Sequence, residues 1–329
     1  MDPFDHLLHF YPPSECRVLF RQYANWCKDR PLAGLRILDG TPLFRNTLMK
    51  LAVLQAAGAE VAAAYGYLPF SGEAVELGRT LGLRIEEKPS GEDFDIVLDC
   101  GGCYAQCRPK YGAVELTLSG LQHYRAVSMP VFAADSGRIK KIETELGTGD
   151  GFVRAMGQLG YPLAGKRVVV FGYGKVGKGV VRGLLSAGAI PVTIDLEDAD
   201  GPNFVSAGDA ARVVAELKKA FCIVTATGVR HALDGLYPIS AFLDHGALLT
   251  NMGVEDEFGP GIPEARILNG NRPLNFILSE PTRMRFIDPV MGLHNAGALW
   301  LLGGNRPNGC SVPPAEIEDA ILKDWEEEI

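Results

Sequence analysis

The chain has 329 residues, of which 47% are apolar and 22% charged, as in an ordinary globular α/β protein. Its net charge of −8 argues against a nucleic-acid-binding protein, which would present a basic face. The N-terminus lacks the basic start and apolar core of a signal peptide, and no apolar run is long enough to span a membrane. An odd number of cysteines, seven, favours reduced thiols, so we expect a cytoplasmic protein.

Helices and strands are predicted to alternate through the first half of the chain, after a helical lead-in at residues 1–33. The predicted strands are 35–38, 60–65, 83–86, 95–99 and 130–134, and the predicted helices are 43–57, 72–82 and 117–126. Such alternation is typical of a parallel, doubly wound sheet. Glycines at 137, 147 and 149 indicate that residues 136–150 are a connection to a second domain.

The second half begins with a predicted buried strand, 167–171, and a glycine-rich turn. Gly172, Gly174 and Gly177 have G-x-G-x-x-G spacing: the first permits a tight turn, the second lets a pyrophosphate approach, and the third lets helix pack on strand. Asp195 ends the next predicted strand, 191–195, where a carboxylate that binds an adenine ribose is expected. This pattern predicts a dinucleotide site, and the charge of Asp195 favours NAD over NADP because it would repel a 2′-phosphate.

Further strands are predicted at 223–225, 247–250 and 274–278, an irregular loop at 259–273, an apolar helix beginning near Met291 and an acidic helix at 316–329. We therefore predict an α/β fold with two doubly wound parallel-sheet (Rossmann-like) domains and a cleft between them. A substrate and catalytic domain would span 1–147, completed by 290–329, and an NAD-binding Rossmann domain would span 148–289. Ligands of open parallel sheets bind at the carboxyl ends of the strands, so residues just after each strand are the site candidates.

Four motifs resemble the S-adenosylhomocysteine hydrolase family: 165–179 with its G-Y-G-K-V-G-K-G turn, 225–228, 251–253 and Met291-Gly292. The resemblance implies a tightly bound NAD that oxidises a ribose 3′-hydroxyl, after which a thiol is expelled, water adds and the product is reduced back. It also implies a homo-oligomer, a dimer or a tetramer. The residues expected at the cofactor are Gly172, Gly174, Lys175, Val176, Gly177, Asp195, Thr225, Thr227, Gly228 and Asn251, with Thr117 and Ser119 approaching from the other domain.

The catalytic half departs from the family pattern. Paired aspartates before Gly-Gly become Asp99-Cys100, and two glutamates before a threonine run become Glu115-Leu116. The family's lysine and Asp-Asn pair correspond at best to residues 140, 141, 143 and 144, and its histidine after Met-Gly becomes Leu293, with His294 next. The catalytic candidates are therefore Asp99, Cys100, Lys140, Lys141, Glu143 and His294.

The substrate pocket is expected to differ from that of the family. An adenosine-contacting histidine and threonine of the family fall on Pro42 and Phe44, which offer no hydrogen bonds to a ribose diol. His294 lies at a predicted helix start near the domain hinge. The usual pKa of a histidine suits acid–base catalysis, and a structural role for His294 is equally open.

Cys100, Cys103 and Cys107 follow a predicted strand, and their role stays open. They could bind zinc with His123, act as a redox or proton-relay thiol, or simply fill a tight loop. We expect none of the site residues to bind a metal ion.

The leading hypothesis is an NAD-dependent oxidoreductase that acts on a small hydroxyl- or amine-bearing metabolite and binds neither nucleic acid nor membrane. One alternative is a divergent thioether hydrolase or lyase that recycles its NAD in place. Another is a regulatory NAD-binding pseudoenzyme whose catalytic residues have decayed.

Overall fold

The computed structural model describes residues 2–90, 93–196 and 200–327. The chain divides into two compact units, each built on its own parallel sheet. Unit 1 comprises 1–142 and 283–329, and unit 2 comprises 143–282. No helix within the described ranges is long and apolar enough to cross a membrane.

Unit 1 contains a seven-stranded, all-parallel sheet with the order β3-β2-β1-β4-β5-β6-β12. Its strands are β1 Arg36–Asp39, β2 Glu60–Tyr65, β3 Arg84–Glu87, β4 Ile96–Asp99, β5 Gly112–Glu115, β6 Pro130–Ala133 and β12 Gly309–Ser311. Its helices are α1 Pro3–Leu7, α2 Arg17–Asp29, α3 Arg45–Ala56, α4 Gly72–Thr80, α5 Leu118–Tyr124, α10 Met284–Leu302 and α11 Ala315–Glu326. The order reverses between β1 and β4, which is where open sheets of this kind bind ligands.

Unit 2 contains a five-stranded parallel sheet with the order β9-β8-β7-β10-β11, which reverses between β7 and β10. Its strands are β7 Arg167–Phe171, β8 Ile190–Asp195, β9 Val205–Ser206, β10 Cys222–Thr225 and β11 Leu248–Asn251. Its helices are α6 Thr148–Gln158, α7 Lys175–Ser186, α8 Ala210–Leu217 and α9 Ser240–Leu243.

Both faces of each sheet are covered, because successive strand residues enter different apolar clusters. In β4, Val97 packs into one cluster of unit 1 and Leu98 into the other. In β7, Val168 and Val169 are divided in the same way between the two clusters of unit 2. This burial explains why the strands are almost continuously apolar, and it confirms the predicted α/β fold with two doubly wound parallel sheets.

The connection predicted at 136–150 contains the boundary between the two units, at 142/143, and part of it is helical. A π-helix, Ile142–Gly147, leads directly into α6. The glycine at 149 serves helix packing, since a Cβ there would lie 2.0 Å from the carbonyl oxygen of Gly179 in α7. The unit boundaries accordingly fall at 142/143 and 282/283, somewhat before the predicted ones.

Two further predictions about the end of unit 2 and the return to unit 1 need correction. The predicted strand 274–278 is a 3-10 helix, Leu274–Ile277, because Pro273 fixes its own φ at −51° and offers no N–H to a ladder. The helix predicted near Met291 begins at Met284 and contains Pro289. Because Pro289 cannot donate to the carbonyl of Arg285, that oxygen accepts instead from the indole N–H of Trp325, at 2.8 Å.

Candidate functional site

In the glycine-rich turn after β7, a side chain would have room at one of the three glycine positions and would clash with backbone at the other two. Gly172 has φ +89°, and a Cβ there would lie 2.5 Å from the carbonyl oxygen of Ala226. A Cβ at Gly177 would lie 1.9 Å from the carbonyl oxygen of Gly172. Above Gly174, in contrast, a Cβ would meet no described atom within 4 Å. Gly172 and Gly177 are therefore required by the fold, whereas Gly174 leaves room for a ligand.

The start of α7 fits a phosphate group. Gly174 is the N-cap residue and has no side chain to cap the helix, so the N–H groups of the first turn have no side-chain acceptor from it. Lys175 and Val176 form this first turn and are half-buried. A helix start that has no side-chain cap and has open space beside it attracts an anion.

Asp195 lies beside the same turn, at the end of β8. Its Oδ2 accepts from the backbone N–H of Tyr173 at 2.6 Å, and its Oδ1 accepts from the N–H of Leu196 at 2.7 Å. The carboxylate is therefore held at the mouth of the glycine turn, on the side of β8. This is the arrangement that the sequence pattern requires for ribose recognition.

The loop after β10 is held by a residue that the sequence reasoning missed, Glu257. Its Oε2 accepts from the N–H and the hydroxyl of Thr227 at 2.7 and 2.8 Å, and its Oε1 accepts from the N–H of Gly228 at 2.8 Å. Burial raises the pKa of Glu257, while these bonds oppose the rise. Nothing in the acidic run 255–257 distinguished this buried side chain from its more exposed neighbours.

Thr225 and Asn251 end β10 and β11, and both are buried. The Asn251 amide nitrogen donates to the carbonyls of Glu255 and Asn271 at 2.6 and 3.0 Å, and its oxygen accepts from Thr225 Oγ1 and Gly253 N. The hydrogen-bonding capacity of the amide is therefore used inside unit 2. A direct contact between Asn251 and a cofactor would require this network to open.

In unit 1, Asp99 and Glu115 are register partners at the ends of β4 and β5, and both are fully buried. Asp99 accepts from the N–H groups of Cys100 and Tyr104 at 2.8 and 2.9 Å and from the Tyr124 hydroxyl at 2.7 Å. Burial, reinforced by the charge of Glu115, raises the pKa of Asp99 to about 7.

Glu115 holds the glycine loop that follows β4. It accepts from the N–H groups of Gly101 and Gly102, each at 3.0 Å, and from both the N–H and the hydroxyl of Thr117. Thr117 in turn caps α5 by accepting from the N–H of Gly120, and Ser119 donates to Thr117 at 3.5 Å. These contacts make Asp99 and Glu115 anchors of the loop.

The candidate lysines differ in their surroundings. Lys140 is buried in unit 1, whereas Lys141 next to it is exposed. Glu143 follows in the π-helix, half-buried, and belongs to unit 2. The two candidate lysines therefore differ in burial, and only Lys140 is enclosed by unit 1.

His294 does not lie at a helix start, as the sequence suggested, but in the middle of α10, fully buried. Its Nε2 lies 3.1 Å from the carbonyl oxygen of Val114, and its Nδ1 has no partner among the described residues. Burial, reinforced by the charge of Lys50, lowers the pKa of His294 to about 3. The imidazole therefore stays neutral, which overturns the argument from an ordinary histidine pKa near neutrality.

Asp39 and Lys50 form a fully buried ion pair near His294 that the sequence reasoning also missed. Asp39 ends β1 and also accepts from the N–H of Thr41 at 3.1 Å. Burial would raise the pKa of Asp39, but the ammonium of Lys50 and further partners outweigh it and lower that pKa. A lysine in the middle of the apolar run 48–54 was the one available signal.

The three cysteines after β4 do not form a zinc site. No group of three or more His, Cys, Asp or Glu side chains that could hold a metal ion occurs in the parts of the chain that the structure describes. Burial and the charges of Asp99 and Glu115 raise the pKa of Cys103 to about 11, which disfavours a reactive thiolate. Cys107 donates to the carbonyl oxygen of Ser90 at 3.5 Å, and Cys100 is buried.

A small hollow lies at the carboxyl ends of β1 and β2 in unit 1. It is lined by Gly40, Thr41, Leu43, Ala64, Tyr65, Tyr67, Leu68 and Tyr104. The hydroxyl of Tyr104 is buried there without a partner among the described residues. A larger cavity of about 370 Å³ lies elsewhere in unit 1, beside Arg17 and Trp325, and none of the predicted site residues lines it.

Comparison with known proteins gives distant relatives. No protein-family model matches the chain. The S-inosyl-L-homocysteine hydrolase of Methanopyrus kandleri is 28% identical over 265 residues, which are 69% of this chain and 61% of that protein. The adenosylhomocysteinase of Sulfurisphaera tokodaii is 29% identical over 69% of this chain and 61% of its own length. That of Aeropyrum pernix is 28% identical over 72% of this chain and 64% of its own.

The chain thus spans about six-tenths of the length of the curated relatives it matches. By their names these relatives are enzymes of small-molecule substrates. Among solved structures, the dipicolinate synthase A chain from Bacillus subtilis has a TM-score of 0.48 and 12% identity, covering 83% of this chain and 99% of that one. That similarity is too low to support any statement about function.

Proposed function

We propose that this chain is an NAD-dependent oxidoreductase of a small metabolite. The premise is that it is a divergent member of the S-adenosylhomocysteine hydrolase-like family. Unit 2 would bind the dinucleotide, and unit 1 would carry the residues that bind the substrate. The reacting carbon would bear a hydroxyl or an amine. When bound, NAD supplies an acceptor for the hydride from that carbon.

The observation that carries the proposal is the combination of the glycine turn, the uncapped start of α7 and Asp195. The turn leaves space only above Gly174, and the helix start offers N–H groups to a pyrophosphate. Asp195 is fixed beside that space by the N–H of Tyr173 and would accept hydrogen bonds from the adenine ribose. A carboxylate at this position favours NAD, because a 2′-phosphate would meet like charge.

The substrate would contact the carboxyl ends of β1, β2 and β4 in unit 1. Cys100 and Lys140 are our candidates for orienting it, and Tyr104 offers a hydroxyl beside the hollow at β1 and β2. Asp99 would act by holding the loop that carries Cys100. Because the side chains of Pro42 and Phe44 carry no hydrogen-bonding group, we propose that the substrate is not adenosylhomocysteine.

A second candidate function is hydrolysis of a thioether with NAD recycled in place, which the names of the relatives favour. The two functions differ in their net redox change. An oxidoreductase accumulates NADH at 340 nm during turnover, whereas a hydrolase of this type does not, although its substrate is consumed.

Titration calorimetry with NAD tests the cofactor proposal directly. We expect the wild type to bind NAD, and Asp195→Ala to weaken that binding at least tenfold, since a lost charged hydrogen bond costs about 1.5–3 kcal/mol. Asp244→Ala, an exposed aspartate that precedes β11 at the opposite edge of the sheet, is the matched control and should bind as the wild type does.

Mass spectrometry of small molecules that co-purify with the chain, followed by turnover assays on them, tests the reaction. NAD binding without turnover of any co-purifying metabolite would favour the regulatory alternative. If the wild type does not bind NAD, the enzymatic proposal fails.

A further inference from the structure

Glu257 is a buried carboxylate with no cationic partner. It is 0% exposed, and none of the ion pairs among residues 2–90, 93–196 and 200–327 involves it. Its two oxygens accept three hydrogen bonds from Thr227 and Gly228, which favour the ionised form and oppose the rise in pKa that burial causes. A buried charge usually has a counter-charge, so the absence of one here calls for an explanation.

The loops that follow β7 and β10 offer opposite electrostatic environments. After β7, the N–H groups at the start of α7 have no capping side chain, and they favour an anion such as a phosphate. After β10, the N–H groups of Thr227 and Gly228 point at Glu257 and are already occupied by a carboxylate. This second loop therefore cannot attract an anion and has a negative charge directly behind it.

The two loops are neighbours at the point where the strand order of unit 2 reverses. A Cβ at Gly172 would lie 2.9 Å from the Cα of Thr227, so the two backbones are in contact. Asp195, at the end of β8, would hold the adenine ribose on the β8 side of the glycine turn. A dinucleotide binds across the point where the strand order reverses, so its nicotinamide half must then extend over β10, towards Thr227 and Gly228.

We propose that Glu257 makes unit 2 selective for the oxidised cofactor, by placing its negative charge behind the loop that faces the nicotinamide. This inference rests on the proposed NAD site and deepens it. Oxidised nicotinamide is a cation and reduced nicotinamide is neutral, so the carboxylate attracts only the oxidised form. Glu257 is a positioning residue, because it acts through Thr227 and Gly228.

The test compares the binding of NAD+, NADH and AMP by titration calorimetry. We expect the wild type to bind NAD+ more tightly than NADH. Glu257→Gln removes the charge and replaces one accepting oxygen with an NH2 group, and it should reduce the ratio of NAD+ to NADH affinity by roughly tenfold, the order expected for one charge screened by the protein. AMP affinity, which reports the half at Asp195, should change less than about twofold.

Two further variants separate charge from structure. Glu257→Asp keeps the charge and should keep the preference for NAD+, even if both affinities fall. Glu216→Gln makes the same substitution in unit 2, at a half-buried glutamate paired with Arg167 at the start of β7, and should leave the ratio unchanged.

The outcomes distinguish this inference from the proposal on which it rests. If the wild type binds neither NAD+ nor NADH, the NAD site itself is wrong and the inference falls with it. If the wild type binds both but prefers NADH, or if Glu257→Gln leaves the ratio unchanged, only the inference is overturned. Should Glu257→Gln yield no folded protein, the wild-type ratio still tests the inference, because a preference for NADH would overturn it.

Discussion

Three alanine substitutions in the glycine turn should separate what the fold needs from what the ligand needs. The structure gives Gly174 φ −75° and ψ −161°, an extended conformation that alanine adopts without strain. A Cβ there enters open space, so we expect Gly174→Ala to change the free energy of unfolding by less than about 0.5 kcal/mol, while NAD affinity falls sharply.

Gly177→Ala should do the reverse, because its Cβ would lie 1.9 Å from the carbonyl oxygen of Gly172, more than 1 Å inside the usual contact of about 3.3 Å. Overpacking against backbone costs about 3 kcal/mol, and the gain in helix propensity offsets about 1 kcal/mol of that. The net loss is about 2 kcal/mol. Gly172→Ala should be at least as costly, since φ +89° strains any residue with a Cβ.

Urea unfolding followed by circular dichroism measures these changes, together with calorimetric titration of NAD. Tryptophan emission is unsuitable, because all three tryptophans lie in unit 1 and the turn lies in unit 2. Equal destabilisation by Gly174→Ala and Gly177→Ala would refute the assignment of the two roles. So would unchanged NAD affinity in a folded Gly174→Ala protein.

Three other predictions test the interior of unit 1. Lys50→Met leaves the buried Asp39 charge unpaired and should lower the free energy of unfolding by about 3–5 kcal/mol. The double variant Asp39→Leu/Lys50→Met should recover much of that loss, and no recovery would argue against the ion pair. Burial raises the pKa of Asp288 from 3.8 to about 7, so between these values the folded form binds more protons than the unfolded form and stability falls as pH rises. Asp288→Asn should therefore flatten the decline of urea midpoints between about pH 4 and 7, and an unchanged slope would contradict the assignment. A pKa of about 3 keeps His294 neutral, so its nuclear magnetic resonance signals should not titrate between about pH 5 and 8; a midpoint near 6.5 would show that the ring is solvated.

The sequence predicted the frame of both units because the frame depends on local patterns. Val168–Phe171 is apolar throughout, as a strand covered on both faces must be, and the glycine spacing that follows specifies a turn and a helix start. Three strands were missed. One is β5, Gly112–Glu115, which lies between β4 and β6 inside the sheet of unit 1. The other two are edge strands: β12 contributes only Gly309, Cys310 and Ser311, and β9 only two residues. Their strand state comes from pairing with β6 and β8, which no local pattern encodes.

The catalytic side was predicted less well, because burial and pairing decide it. The Met291-Gly292 motif led to a helix start at His294, yet the helix begins at Met284, since Trp325 satisfies the carbonyl that Pro289 leaves free. Lys50 stands among leucines and pairs with Asp39 eleven residues earlier, a partnership visible only once α3 packs on β1. Oligomeric state, the domain roles and the cofactor contacts of Thr117, Ser119 and Asn251 stay predictions.

The hydrogen bonds in unit 1 explain which acidic residues of the resembled motifs are kept in this chain. In each acidic pair of the family pattern, the first acid is kept, as Asp99 and Glu115, and holds the backbone of Gly101, Gly102 or Tyr104. The second is replaced, by Cys100 and Leu116. The acids that hold the loop are therefore kept, and the positions that differ are those directly after them in the chain. Two fully buried carboxylates at register positions of neighbouring strands are costly to desolvate, and their hydrogen bonds to the loop after β4 explain why the fold keeps them.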